Sequence, residues 1–237
     1  MNNYVILLAG GLGKRMRADI PKQFLEVNGK PILVYTLENF QKNPQIEKIL
    51  VVCVKDWIEN LNLLIQQYKL SKVAWIVEGG PTGHDSIRNG IFFLKSKIKS
   101  EDFIVVHDSV RPIVPQKMLN NLLKVAHKKG NAVAATECHP PIVYTEDFKS
   151  GNKSIDRDQV MLASSPQAFM YSLVLDCYEQ AEKENLHNTI FTSSLLIHCG
   201  KRVYFSKGTM NNIKITQKED LALFRALLQI PEDELYF

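Results

Sequence analysis

Three glycines, Gly10, Gly11 and Gly13, run straight into Lys14 and Arg15, and Pro21-Lys22-Gln23-Phe24 adds a further cation. Glycine lets the backbone approach a ligand closely, and successive N–H groups in such a turn make a nest for an anion. The guest expected there is a phosphate. The dinucleotide fingerprint G-x-G-x-x-G meets Met16 where its third glycine belongs, and the Walker A pattern would need glycine at Leu8 and a hydroxyl at Arg15, so both fail. A second constellation is His107-Asp108-Ser109-Val110-Arg111-Pro112. It follows the apolar run Phe103 to Val106, and a carboxylate at the mouth of a buried strand needs a partner, such as a metal ion or a ligand hydroxyl. Arg111 could offer a forked donor to a phosphate or orient Asp108. Between the two clusters, Glu78-Gly79-Gly80-Pro81-Thr82-Gly83-His84-Asp85-Ser86 is a second glycine-rich exit, in which Ser86 is a candidate N-cap or nucleotide contact. Lys214 stands beside a short apolar run near the carboxyl end. Taken one at a time, these features also fit a tight turn with a solvated basic face, or a helix cap with a local ion pair.

The elements that must position these groups follow an alternation of short Val- and Ile-rich runs with helical periodicity, the rhythm of strand, crossover helix and parallel strand. Strands are expected at Tyr4 to Leu8, Lys48 to Val54, Val73 to Val77, Phe103 to Val106, Ala132 to Ala135 and Arg202 to Ser206. Their continuous apolar character suits strands covered on both faces. Helices are expected at Pro31 to Phe40, Trp57 to Tyr68, Ser86 to Lys97, Pro115 to Lys128, Ser172 to Glu184 and Lys218 to Leu228. The fold class is therefore α/β, a Rossmann-like, mostly parallel twisted sheet flanked by helices. Ligands of such sheets bind at the carboxyl edge, where the glycine loop lies. The stretch from about 137 to 164 breaks the rhythm with Pro140-Pro141, the strand-like Ile142 to Thr145 and the turn Ser150-Gly151-Asn152, and reads as a projecting hairpin arm. A single domain over 1–237 carrying this arm is expected, with the arm a natural place for subunit contact or a solvent-exposed insert.

The chain has 237 residues, 45% of them hydrophobic and 23% charged, which excludes a disordered, collagenous or coiled-coil protein. With 29 Lys and Arg against 25 Asp and Glu, its charge is too mild and dispersed for nucleic acid, while a small anionic ligand suits it. No apolar run approaches the ~20 residues that cross a bilayer, and the amino terminus has no basic leader, so a cytoplasmic protein without membrane contact is expected. Cys53, Cys138, Cys177 and Cys199 lie far apart without a C-x-x-C pair and are expected to be buried thiols.

Together the residues resemble the cytidylyltransferase family that includes methylerythritol phosphate cytidylyltransferase of isoprenoid synthesis and ribitol 5-phosphate cytidylyltransferase of teichoic acid and capsule synthesis. The matching stretches are Leu8 to Met16, Pro21 to Phe24, Gly79-Gly80 with Asp85-Ser86, His107 to Pro112, Asp156-Arg157, Ser165-Pro166-Gln167 and Asn212-Ile213-Lys214 with Glu219-Asp220-Leu221. They span almost the whole chain in order. The resemblance implies that Arg15, Lys22 and Lys214 are catalytic, and that Leu8, Ala9, Gly10, Gly11, Gly13, Lys14, Gly80, Ser86 and Asp108 hold CTP. Asp108, Arg111, Ser165 and Lys214 would surround the acceptor, and the arm would carry Arg157 across a homodimer interface to it. Mg²⁺ is the implied cofactor, with Asp108 its candidate ligand.

The implied reaction joins CTP to a small polyol phosphate, whose phosphate oxygen attacks the α-phosphorus in line as pyrophosphate leaves. The nucleophile is already an anion, so no histidine, serine or cysteine is needed as base or carrier. Of His84, His107, His127, His139, His187 and His198, His107 alone stands beside the site. Ribitol 5-phosphate, giving CDP-ribitol, is the expected acceptor. Methylerythritol 4-phosphate is the alternative, and a non-catalytic nucleotide-binding protein or an NAD-dependent oxidoreductase are rivals from other classes. The chain departs from the family at Pro81 and Gly83, where an acidic or polar residue and an arginine are usual, which removes one expected contact to the nucleotide; it departs again at Pro141-Ile142 in the arm, where an Asp-Thr pair meets the acceptor, and at Ile190-Phe191-Thr192. A pocket that loses polar partners is expected to recognise a different polyol, since an unpaired buried hydroxyl costs ~1–3 kcal/mol.

Overall fold

A computed structural model describes residues 1–11, 20–186, 189 and 191–236 of the chain. Strand β1 (Asn3–Ala9) is followed by a 3-10 turn at Lys22–Phe24, the small ladder of β2 (Glu26–Val27) and β3 (Lys30–Pro31), and helix α1 (Ile32–Gln41). Next come β4 (Ile46–Cys53), α2 (Ile58–Gln67), β5 (Val73–Glu78), α3 (Gly83–Phe93), β6 (Phe103–Asp108), α4 (Gln116–Lys129) and β7 (Asn131–Glu137). The arm holds β8 (Ile142–Tyr144) and β9 (Lys153–Ile155), and the chain ends through β10 (Met161–Met170), α5 (Tyr171–Lys183), α6 (Thr192–His198), β11 (Phe205–Lys207) and α7 (Lys218–Leu227).

The main sheet has the order β11-β7-β10-β6-β1-β4-β5. Strand β1 pairs in parallel with β4 and β6, β4 with β5, and β7 with β11, whereas β10 runs antiparallel to both of its neighbours. The expected mostly parallel α/β sheet is present. Because side chains alternate across a strand, β1 feeds two cores. Val5, Leu7 and Ala9 pack with α1, α2 and α4, while Tyr4 and Ile6 pack with α3, α5 and α6. A third cluster, including Val27, Ile32, Val110, Ile215 and Phe224, fixes α7 against the loop after β6.

Two of the larger elements differ from expectation outright. Strand β10 occupies a stretch assigned to no strand, because Ser164-Ser165-Pro166-Gln167 has the composition of a turn. The register between β10 and β7 shifts between Ser164 and Gln167, which leaves Ser165 and Pro166 unpaired with β7. A proline is tolerated inside a sheet at such a bulge. Helix α6 was equally unassigned, its seven residues being too short to show a period. The strand expected at Arg202 to Ser206 is confined to Phe205–Lys207. Helix α3 starts at Gly83, ahead of the expected Ser86, because Thr82 and Asp85 form a capping box. The arm is the expected hairpin, with β8 and β9 antiparallel and Val143, Tyr144 and Phe148 exposed. Three of the cysteines are buried, whereas Cys199 is only partly covered.

Candidate active site

Strands β1, β4, β5 and β6 end at one edge, and the ladder sets their last residues side by side. Leu8 pairs with Asp108, Ala9 with Cys53, and Cys53 with Glu78. That edge opens into a cleft of about 590 Å³, lined by both glycine loops and by side chains from every one of these strand exits.

On one wall the glycine loops stand back to back. A Cβ added to Gly79 would lie 3.2 Å from the Gly10 Cα, a tight contact, and one added to Gly80 would lie 2.3 Å from the Asp85 Cβ, which leaves Gly80 no room for a side chain without a shift. The second loop is tied down from α3. Thr82 Oγ1 accepts from the Asp85 N–H at 3.1 Å, while Asp85 Oδ2 accepts from the Thr82 N–H and hydroxyl at 3.2 and 2.7 Å. The Thr82 hydrogen bond is the main reason the Asp85 carboxyl is held below its ordinary value. Ser86 Oγ accepts from the Gly80 N–H at 3.1 Å and donates to the Thr82 carbonyl at 2.9 Å. Ser86 is therefore not the N-cap. It sits inside the first turn of α3, folding the glycine loop over the cleft.

The opposite wall carries the charges. Asp108 Oδ2 meets Arg111 Nε at 3.2 Å and Lys214 Nζ at 3.1 Å. Burial would raise the Asp108 carboxyl, but the Lys214 charge, then that of Arg111, outweighs it and holds the group ionised below its ordinary value. Arg111 also donates from Nη1 to the Asn212 carbonyl at 2.7 Å. Of its two expected roles, the structure thus shows it orienting Asp108. The backbone N–H of Asp108 donates to Ser165 Oγ at 3.3 Å. Beneath them His107 is fully buried, lies edge-on to Phe40 and pairs through Nε2 with the Arg111 carbonyl at 3.0 Å. Burial depresses its pKa to about 4, so the ring is neutral and Nε2–H donates.

Lys22 enters from the 3-10 turn and donates from Nζ to the Ile215 carbonyl at 3.1 Å. Its neighbour Gln23, 1% exposed, donates from Nε2 to the Ala9 carbonyl at 2.7 Å. The turn and the end of β1 are thereby locked together.

Of the residues singled out from sequence, Leu8, Gly10, Gly11, Lys22, Gly80, Ser86, Asp108 and Lys214 all line this cleft. Ala9 does not. Its carbonyl accepts from Gln23 and from the Val54 N–H, so it serves as framework. Arg111 and Ser165 stand behind the cleft in contact with Asp108. Arg157 lies on the arm, exposed, with Nη1 on the His139 carbonyl. Gly13, Lys14 and Arg15 lie outside the described residues. Sequence reasoning gave no role to Gln23, Lys55 or Glu78, which also line the cleft, whereas Thr82, also in the lining, belongs to the Gly80 to Ser86 stretch expected to hold CTP. Lys55 and Glu78 close the strand exits of β4 and β5, so the carboxyl-edge rule could have found them.

Among the described residues no three His, Cys, Asp or Glu side chains are grouped to hold a metal by themselves. A Mg²⁺ ion carried by phosphates fits better. It keeps waters and takes one or two carboxylates with phosphate oxygens. Asp108 offers one such carboxylate, with both of its cations gathered on Oδ2.

The arrangement can bring two anions together. The two glycine loops and cationic side chains line a space large enough for a nucleoside triphosphate, and among the described residues no nucleophile, base and orienting group stand in line there. Comparison with known proteins agrees with this chemistry. The sequence model of the IspD family, 2-C-methyl-D-erythritol 4-phosphate cytidylyltransferase, matches residues 3–230. A ribitol-5-phosphate cytidylyltransferase of Lacticaseibacillus paracasei is 38% identical over 229 residues, covering 96% of this chain and 98% of the relative. A 2-C-methyl-D-erythritol 4-phosphate cytidylyltransferase of Clostridium botulinum is 36% identical over 227 residues, covering 96% of this chain and 97% of the relative. The crystal structure of the Francisella tularensis 2-C-methyl-D-erythritol 4-phosphate cytidylyltransferase superposes with a TM-score of 0.81 at 27% identity, covering 97% of this chain and all of that one.

Proposed function

This chain belongs to the IspD family of CTP-dependent cytidylyltransferases, and we propose that the acceptor it uses is ribitol 5-phosphate, giving CDP-ribitol and pyrophosphate. Support for that acceptor comes from the 38% identity to the Lacticaseibacillus paracasei relative, and from Pro141-Ile142 in the arm where the family pattern is polar. The observation that carries the chemistry is Lys214 and Arg111 gathered on Asp108 at the mouth of a glycine-walled cleft. Methylerythritol 4-phosphate is the second reading, favoured by the Clostridium botulinum relative.

An oxygen of the acceptor's phosphate forms the new bond to the α-phosphorus, and the bond from that phosphorus to the bridging oxygen of pyrophosphate breaks. Because the attacking group is already charged, the enzyme supplies position and preorganised positive charge. The glycine loops cradle the nucleotide with backbone N–H groups. Lys22 meets charge that builds on the α-phosphate and leaving group, with Arg15 assigned the same work from sequence. Lys214 and Arg111, both paired with Asp108 Oδ2, receive the acceptor's phosphate. Neutral His107 acts only as framework. Mg²⁺, when bound, neutralises triphosphate oxygens, and Asp108 would hold it. The exposed apolar residues of the arm, Val143, Tyr144 and Phe148, suit a homodimer contact that carries Arg157 to the partner's acceptor site. No helix among the described residues is long and apolar enough to cross a membrane, and we place the enzyme in the cytoplasm.

Pyrophosphate release from CTP with a panel of alditol phosphates tests this reading. Ribitol 5-phosphate should show the highest kcat/KM by at least tenfold. Preference for methylerythritol 4-phosphate would move the enzyme to the second reading, and no release with any acceptor would refute catalysis of this type.

A further inference from the structure

The loop from Gly208 to Thr216 gathers more of the site than its own side chains suggest. Its Ile215 carbonyl receives Lys22, its Asn212 carbonyl receives Arg111, and Lys214 reaches Asp108. Backbone hydrogen bonds fasten both ends, from the Gly208 N–H to the Ala135 carbonyl at 2.8 Å and from the Ile215 N–H to the Val110 carbonyl at 2.9 Å. Between those fastenings, one side chain ties the loop to β10. Asn212 is 4% exposed, and its Nδ2 donates to the Ser165 carbonyl at 2.5 Å. Among the described residues this is the one hydrogen bond from the loop to β10. Ser165 in turn accepts from the Asp108 N–H. A closed circuit results, running Asn212, Ser165, Asp108, Arg111 and back to Asn212.

The amide of Asn212 is only half satisfied, because Oδ1 is buried without a hydrogen-bond partner. A buried acceptor left unpaired costs stability, whereas an apolar side chain of the same shape would avoid that cost. An asparagine serving packing alone has no reason to bear it. What the amide does achieve is directional: with Nδ2 fixed on Ser165, the carbonyl of residue 212 is held toward the guanidinium. Arg111 is then pinned through Nε on Asp108 and Nη1 on Asn212, so the plane of its fork is set and its remaining donors need no further ordering. We propose that Asn212 is a positioning residue for the acceptor site, acting through Arg111 without touching either substrate. This rests on the reading that the acceptor's phosphate meets Arg111 and Lys214.

Steady-state kinetics of Asn212→Ala and Asn212→Leu, with the acceptor that the parent enzyme turns over best, test it. Both variants should raise KM for the acceptor at least tenfold and leave KM for CTP within twofold. The Leu variant, which removes the orphaned oxygen and keeps the volume, should match or exceed the Ala variant in melting temperature while sharing its kinetic defect. In an Arg111→Ala background, adding Asn212→Ala should change the acceptor KM by less than twofold, because the group it positions is gone. A smaller rise in acceptor KM, an equal rise for both substrates, an undiminished effect in the Arg111→Ala background, or failure of both variants to fold would each overturn the proposal. A parent that releases no pyrophosphate with any alditol phosphate would instead refute the functional reading.

Discussion

Replacing Lys22 by alanine removes an ammonium from the cleft. In the folded protein its Nζ is held by the Ile215 carbonyl at 3.1 Å, and its charge helps keep the Asp220 carboxyl below its ordinary value after burial and the Thr216 and Gln217 hydrogen bonds have acted. A partly exposed hydrogen bond of this kind contributes about 1 kcal/mol. In a chain of this size that is a melting shift of roughly 2–4 °C. The catalytic loss is of another order. A preorganised donor facing developing charge in a water-poor site is worth ~10²–10³ in turnover, about 2.7–4 kcal/mol of barrier. Pyrophosphate release at saturating CTP and acceptor should thus fall at least a hundredfold while a thermal melt by circular dichroism moves only a few degrees. Turnover within threefold of the parent would remove Lys22 from the mechanism. A melting shift large enough to unfold the variant at the assay temperature would show that it is a structural lysine.

His107 makes a prediction about acid. Its ring is buried neutral with a pKa of about 4, so the unfolded chain, titrating near 6.5, takes up a proton that the folded chain refuses. Stability is therefore complete above pH 6.5 and declines as pH falls toward 4, by roughly 3 kcal/mol over the window. His107→Gln should flatten that limb of the stability profile measured by urea unfolding, and an unchanged slope would contradict a neutral buried ring. Losses from Asp85, Asp108 and Asp220, whose carboxyls are all held low, belong below that window. At Gly80, a methyl group would press on Asp85 Cβ at 2.3 Å, so Gly80→Ala must shift the loop or the start of α3 and should raise KM for CTP at least tenfold, more than KM for the acceptor. Chelation by EDTA is expected to abolish turnover and added Mg²⁺ to restore it. The melting temperature without nucleotide should stay unchanged, because no three potential ligands are grouped among the described residues.

The parallel part of the sheet was legible because its strands are covered on both faces, which writes them as unbroken apolar runs such as Val5-Ile6-Leu7 and Ile104-Val105-Val106. The cleft was legible through residues that must present backbone or charge at strand exits, namely Gly10, Gly80, Asp108 and Lys22. What escaped was held by long-range pairing. Nothing local marks Ser165-Pro166 as the middle of a strand, since it is the pairing of the residues on either side with β6 and β7 that carries β10 through this bulge. Ser86 looked like a cap because serine favours caps, but Thr82 with Asp85 three residues later caps the helix one turn earlier in the chain. Gln23 and Asn212 act on carbonyls 14 and 47 positions away, and such partners leave no trace in spacing.

Strand β10 passes from open solvent to the molecular interior within its ten residues: Met161 and Leu162 are exposed beside the arm, and Ala168 and Phe169 have no accessible surface. Midway along it sits the hydroxyl that receives the amide of Asp108. The strand is thus a lever with its handle outside. Whatever grips the handle, whether an antibody, a crystal neighbour or an engineered crosslink, also bears on the peptide that sets the acidic side chain. Remoteness from the cleft therefore does not make a change at Met161 or Leu162 innocuous.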